Sequence, residues 1–250
     1  MVGKKLLVFN WKAYIGISES VELARHMASR YENSKNIVIA PMQLALSEVA
    51  REVDGRLSLC AQDVDIDAGA HTGSVPVDMV SKLGCSYSLV GHSETRYRES
   101  AEDNDLIGKK AAACVSNEIT PIICFGERLD ERLCAETEEV IRDQISSGVS
   151  ILKDIKSSIR PLFAYEPVWA ISSTINSREP GMKEVKEGIE IARRALSDSG
   201  IKNATFLYGG SINPLNVHRY LNDHDISGVL IGRAGTAKKN IDRIISAAKL

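Results

Sequence analysis

Short apolar runs rich in β-branched residues recur along the chain at Leu6–Phe9, Ile37–Ala40, Leu57–Ala61, Tyr87–Val90, Pro121–Phe125, Leu162–Tyr165, Thr205–Tyr208 and Val229–Ile231, giving eight expected strands. Longer, charge-rich segments with helical spacing separate them. One stripe runs through Val21, Ala24, Ala28 and Tyr31, with Ser18 read as its N-cap, and another through Val185, Ile189, Ala192 and Leu196. Strands that are apolar throughout, rather than alternating, are those of a parallel sheet covered by helices. Eight strand–helix units without a compositional break predict a (β/α)8 barrel, eight parallel strands with outer helices, spanning residues 1–250 as a single domain. The rival, a doubly wound open sheet, calls for G-x-G-x-x-G at a strand-to-helix turn, and no such motif occurs.

Composition narrows the field. Lys and Arg number 31 against 33 Asp and Glu, a formal charge of −2, so there is no basic excess for nucleic acid or an anionic membrane. An anionic partner must therefore be met by local groups. The five cysteines are odd in number, widely spaced and without a C-x-x-C pair, which suggests neither a disulfide framework nor a zinc site. With no apolar run of membrane length and no signal-type h-region, a cytoplasmic protein is expected.

The chemistry of such a barrel lies in the loops that leave the strands. Here the first strand delivers Asn10-Trp11-Lys12, the third Gln62-Asp63, the fourth Gly91-His92-Ser93-Glu94, the sixth Glu166-Pro167, the seventh Gly209-Gly210-Ser211 and the eighth Gly232-Arg233. Each has an ordinary explanation alone: a solvated lysine, a helix-capping histidine, a strand-end carboxylate paired to an arginine. Together, a cation, an imidazole and a carboxylate at one rim are what a proton-transfer site requires. Glycine-rich turns after the last two strands add a phosphate cradle, because small residues let backbone N–H groups approach the anion.

Asn10-Trp11-Lys12, Gly91-His92-Ser93-Glu94, Ala164-Tyr165-Glu166-Pro167-Val168-Trp169-Ala170 and Tyr208-Gly209-Gly210-Ser211 closely resemble, in order and spacing, the signature blocks of the triosephosphate isomerase family. That enzyme is also a worked example of tuned acid–base groups in general accounts of catalysis. The resemblance implies interconversion of dihydroxyacetone phosphate and D-glyceraldehyde 3-phosphate through an enediolate, without metal or organic cofactor. It implies Glu166 as base, neutral His92 as electrophile, Lys12 as fixed cation, Asn10 as a donor to a substrate oxygen, and Glu94 as support for the lysine or histidine. Ser172, Gly210, Ser211, Gly232 and Arg233 fall where the phosphate is held, and Pro167, Val168 and Trp169 resemble the hinge of a lid. Cys124 in the block after strand five is read as packing. A homodimer through the loop around Thr72 is implied as well.

Three departures spare the base: two bear on the grip and one on the loop of the expected dimer. The family's Gly-Thr-Gly lid tip is Ser172-Ser173-Thr174 in a lid with one extra residue, and its paired glycines after strand eight are Gly232-Arg233. That arginine either points outward or brings a guanidinium to the site. Ser74 and Thr95 stand where the family has a paired glutamate and arginine, and losing both leaves no charge unpaired. These changes keep open the same chemistry on a tetrulose phosphate such as erythrulose phosphate. A Schiff-base aldolase would need a lysine leaving a late strand, where Glu166 stands, and a non-catalytic phosphate-binding barrel would leave the base, electrophile and cation without a use.

Overall fold

The computed structural model describes residues 5–97, 101–171 and 178–248, with the Asp154 side chain left aside. Eight strands, β1 (Leu6–Asn10), β2 (Ile37–Ala40), β3 (Ser58–Ala61), β4 (Tyr87–Val90), β5 (Thr120–Phe125), β6 (Leu162–Tyr165), β7 (Thr205–Tyr208) and β8 (Gly228–Ile231), pair in sequence order, all parallel, into a closed ring. β1 closes against β8 with Leu6 opposite Gly228. The expected strands differ from these by at most a residue at either end.

Alternation along each strand divides the core into two layers. Val8, Val38, Cys60, Leu89, Ile122, Ala164, Leu207 and Leu230 fill the barrel interior as one cluster with Ala40 and Cys124. Their strand neighbours Leu7, Phe9, Ile37, Ile39, Phe163 and Phe206 belong to a second cluster packed under the helices. Four cysteines are buried and Cys134 is exposed, all as free thiols. No described helix is long and apolar enough to cross a membrane.

The helical stripe Val185, Ile189, Ala192 and Leu196 is buried within a helix over Met182–Asp198. The first helix starts earlier than its sequence suggests. It spans Ile17–Arg30, and the N-cap is Gly16 rather than Ser18. Glu19 Oε2 accepts from the Gly16 amide at 2.7 Å, so the cap is supplied from the first turn by a carboxylate and Ser18 lies inside the helix.

Beside the ring, the end of β3 is tied to the helix Asn104–Ser116 by one ammonium shared between two carboxylates. Lys110 Nζ, 3% exposed as a residue, lies 2.8 Å from Asp63 Oδ2 and also bonds Glu102 Oε1. Burial pushes the Asp63 carboxyl up to about 6 against the pull of Lys110, with Glu102 adding to the rise. A folded value above the unfolded one means that this stabilisation is complete below the unfolded value of about 4 and is lost as pH rises through 6. Asp63→Asn keeps an oxygen for Lys110 and removes the second charge. It should raise stability at pH 7 by about 1–2 kcal/mol, discounted for partial exposure, with the gain gone by about pH 4. Urea denaturation at the two pH values checks this, and a loss at pH 7 that is absent near pH 4 would show the ion pair to be net favourable.

Candidate active site

The inward stripe of the barrel runs out of its carboxyl end into a cavity of about 330 Å³. Two residues beyond Val8 lies Asn10, and Lys12 follows; Glu166 comes two beyond Ala164, Gly209 two beyond Leu207 and Gly232 two beyond Leu230. All five line this cavity, with His92. Of the predicted site residues it also collects Gly210, Ser211 and Arg233. Ser172 lies outside the described residues.

Glu166 is 2% exposed and both of its oxygens are occupied. Oε2 accepts from the Ser93 amide at 3.0 Å, and Oε1 lies 3.1 Å from His92 Nε2. The imidazole is fixed from its other side, where the Glu94 amide donates to Nδ1 at 3.1 Å. An amide N–H only donates, so Nδ1 is the acceptor in this contact, and Nε2 is the ring nitrogen directed at Glu166. His92 is thus also the N-cap of the short helix Ser93–Arg96, the ordinary role being compatible with the chemical one. Burial would raise the Glu166 carboxyl, but the attraction and hydrogen bond of His92, the Ser93 amide and the charge of Lys12 outweigh it. The carboxyl is held below the ordinary glutamate range.

Lys12 stands in the left-handed region at φ 49. This conformation costs a non-glycine residue about 1–2 kcal/mol and persists only where neighbours enforce it. Asn10 Oδ1 accepts from the Lys12 amide at 3.0 Å, while Gln62 Nε2 donates to the Lys12 carbonyl at 3.1 Å and to that of Ala40 at 3.0 Å. The side chain then reaches Glu94, with Nζ 2.8 Å from Oε1; His92 Nδ1 and Glu94 Oε2 are 4.0 Å apart.

Behind the base, Glu127 is fully buried and accepts from Trp169 Nε1 at 2.8 Å, Tyr165 Oη at 3.0 Å and Arg132 Nη1 at 3.0 Å. The Val168 amide donates to its carbonyl at 3.0 Å. Guanidinium groups of Arg178 and Arg132 lie 4.3 and 5.2 Å from the Trp169 ring. The segment Pro167-Val168-Trp169 is therefore anchored by one carboxylate. Ser211 Oγ donates to the Ala170 carbonyl at 2.7 Å, joining the turn after β7 to the same segment. Gln62 and Ser93 stand in the strand-end blocks of the sequence without assigned roles, and Glu127 follows the fifth strand. A charged residue two positions past a buried strand, as Glu127 is past Phe125, was the available signal. Ser74 Oγ bonds Asp65 at 2.8 Å and Thr95 Oγ1 bonds the His92 carbonyl at 2.9 Å, so both substituted positions are satisfied locally.

The geometry first defines a class: a closed (β/α)8 barrel with a carboxylate, an imidazole and a lysine gathered in one cavity at the carboxyl ends of its strands. The family model for triosephosphate isomerase matches residues 5–248. A triosephosphate isomerase of Endomicrobium trichonymphae is 33% identical over 250 residues, covering 98% of this chain and 99% of that protein. One from Geotalea uraniireducens is 35% identical, covering 97% and 98%, and one from Dictyoglomus turgidum 35%, covering 92% and 94%. The chain belongs to the triosephosphate isomerase family.

Gly209 shows how tightly the Glu166 carboxylate is seated, since a Cβ there would lie 2.8 Å from Glu166 Cγ. Gly209→Ala should displace the carboxylate by a fraction of an ångström and lower kcat by about 10²-fold, the usual cost of a small misplacement. Steady-state kinetics with a melting curve checks this; a fall in melting temperature with kcat unchanged would show that the glycine serves packing alone.

Proposed function

We propose that the chain interconverts dihydroxyacetone phosphate and D-glyceraldehyde 3-phosphate through an enediolate. The observation that carries the reading is the juxtaposition of a buried carboxylate and an imidazole at 3.1 Å, in one cavity with a lysine. Moving one carbon-bound proton and rearranging two oxygens needs a base and an electrophile, and the scheme calls for no cofactor. Glu166 takes the proton from carbon; His92 Nε2–H donates to the carbonyl oxygen and passes protons between the two substrate oxygens. Lys12 supplies positive charge to the phosphate and the developing enediolate, Asn10 donates to a substrate oxygen, and Glu94 holds the lysine. Gly210, Ser211, Gly232, Ser172 and Arg233 complete the phosphate end, and Pro167-Val168-Trp169 is the lid hinge.

Glu166 and His92 occupy each other in the arrangement described. A substrate carbonyl that takes the Nε2–H must part them, and Glu166 then loses one of the donors that hold its carboxyl low while remaining buried. The base becomes stronger as the electrophile engages. Substrate entry and base activation are one event in this scheme.

The single domain over residues 1–250, the cytoplasmic setting, and the absence of nucleic-acid and membrane partners remain part of this reading, supported by the unbroken ring and the balanced charge. So does a homodimer through the loop around Thr72. Beside the first cavity lies a second, of about 640 Å³, which shares Asn10, Lys12 and His92 with it and is bordered by Met42 and exposed Leu44. That groove is suited to receive the Thr72 loop of a second copy.

Glu166→Gln should lower kcat by about 10³-fold or more while a phosphorylated competitive inhibitor binds nearly as before. Comparable losses in inhibitor affinity and kcat/KM would assign the carboxylate to binding. The substrate is decided by kcat/KM for D-glyceraldehyde 3-phosphate against erythrulose phosphates, where a preference for the four-carbon sugars would sink the triose assignment.

A further inference from the structure

A guanidinium is buried close behind Glu166. Arg96 closes the short helix Ser93–Arg96, is 7% exposed, and makes no ion pair among the described residues. Its N–H groups all take neutral acceptors. Nε donates to the Gly91 carbonyl at 2.8 Å, Nη2 to the Cys124 carbonyl at 2.9 Å, and Nη1 to Asn104 Oδ1. Burial pulls this guanidinium below the ordinary arginine range, and Glu166 and Glu102 are among the groups that oppose the fall. An arginine still keeps its proton at neutral pH. A buried cation met only by dipoles retains a field that reaches its neighbours.

The two carbonyls it holds belong to the strands that seat Glu166. Gly91 follows β4 at φ 67, and the next two residues supply both groups that meet the carboxylate, His92 Nε2 at 3.1 Å and the Ser93 amide at 3.0 Å. Cys124 lies in β5 beside Phe125, whose carbonyl accepts from the Glu166 amide at 2.7 Å. One planar fork therefore ties the turn that aims the two partners to the strand on which the Glu166 backbone hangs.

The other titratable groups facing Glu166 are already engaged. Lys12 is matched by Glu94 at 2.8 Å, His92 lies against the carboxylate, and burial, aided by Glu166, pushes the Cys124 thiol well above its ordinary range, so that it stays protonated. Facing Arg96 are Tyr97 and Glu102, and beyond Asn104 lies Asp143, to which Asn104 Nδ2 donates at 2.7 Å. The carboxamide satisfies the guanidinium without neutralising it and keeps the Asp143 carboxylate one side chain away.

We infer that Arg96 is the positioning residue of Glu166: its fork fixes the turn that carries the two groups bonded to the carboxylate, and its charge, left without a counter-carboxylate, favours the Glu166 anion from behind. This rests on the reading of Glu166 as the base.

Three variants of the full chain separate fork from charge. Arg96→Lys keeps the charge and loses the fork, and Arg96→Met loses both. The double variant Asn104→Asp/Asp143→Asn keeps the fork and moves a carboxylate against it, with the bond between the two exchanged side chains retained in the reverse direction. The Glu166 carboxyl is titrated by carbon NMR without substrate, its signal assigned with Glu166→Gln. In Arg96→Met and in the double variant it should titrate about half a pH unit or more above the parent, and in Arg96→Lys close to the parent. Triose phosphate kcat should fall about tenfold or more in Arg96→Lys and Arg96→Met, with KM changed by less than about threefold, and stay within about threefold of the parent in the double variant. A merely structural arginine would lower the melting temperature in the two Arg96 variants and leave the carboxyl of the double variant titrating as in the parent. That result would overturn the inference, as would parental kcat in Arg96→Lys. Should Arg96→Met not fold, the double variant still decides the charge and Arg96→Lys the fork. The two readings fail separately. A carboxyl that responds as expected in a protein without isomerase activity sinks the triose assignment alone, and an active enzyme whose carboxyl ignores the double variant sinks this inference alone.

Discussion

Closing eight parallel strands into a ring leaves the inward side chains stacked in layers across a space that they fill completely. The interior of this barrel holds valine, leucine, isoleucine, alanine and cysteine. A polar inward residue has one position where it meets both water and its counterparts, one step beyond the last apolar layer. The two-residue period of the strands carries the same stripe out to the rim, from Val8 to Asn10 and Lys12 and from Ala164 to Glu166. The site's location is thus a consequence of closure, and its precision is inherited from strands that have no free edge.

Within that frame the site is governed by competition for a few N–H donors. Glu166 is held as an anion in a buried place by His92, the Ser93 amide and the charge of Lys12, and His92 turns Nε2 to it while the Glu94 amide claims Nδ1. Sterics complete the seat. Gly209 leaves room for the Glu166 side chain, and Gly126, at φ 154, passes so close to the Glu166 carbonyl that a Cβ there would lie 2.0 Å from it. Lys12 is held in an unfavourable backbone conformation by two amide side chains, Asn10 below and Gln62 beside it. Strain and burial, both unfavourable alone, are what fix the charges in place.

Strand positions were legible in the sequence because a buried parallel strand writes a contiguous apolar run. Lys12, His92 and Glu166 were legible because polar residues end those runs. The roles of Glu127 and Gln62 were not, since each acts through partners far along the chain, such as Trp169 for the one and the Lys12 carbonyl for the other. Ser18 misled because serine is a common cap while the actual cap bond comes from Glu19, a residue equally at home on a solvated helix face. Arg233 kept two readings open, because a side chain's direction is set by a neighbour across the seam, Tyr14, and not by its own local pattern.

The seam carries a consequence for synthesis. β1 is the first strand made and its hydrogen-bonded neighbour β8 the last, with Gly228 so close to Leu6 that a Cβ would lie 2.3 Å from the Leu6 carbonyl oxygen. At ordinary elongation rates the first strand waits on the order of tens of seconds for that partner. Until β8 arrives, β1 presents an open apolar edge and the wall between Lys12 and Gly232 does not exist, so the ring stays open, and without its cavity, until the last of its eight strands is made.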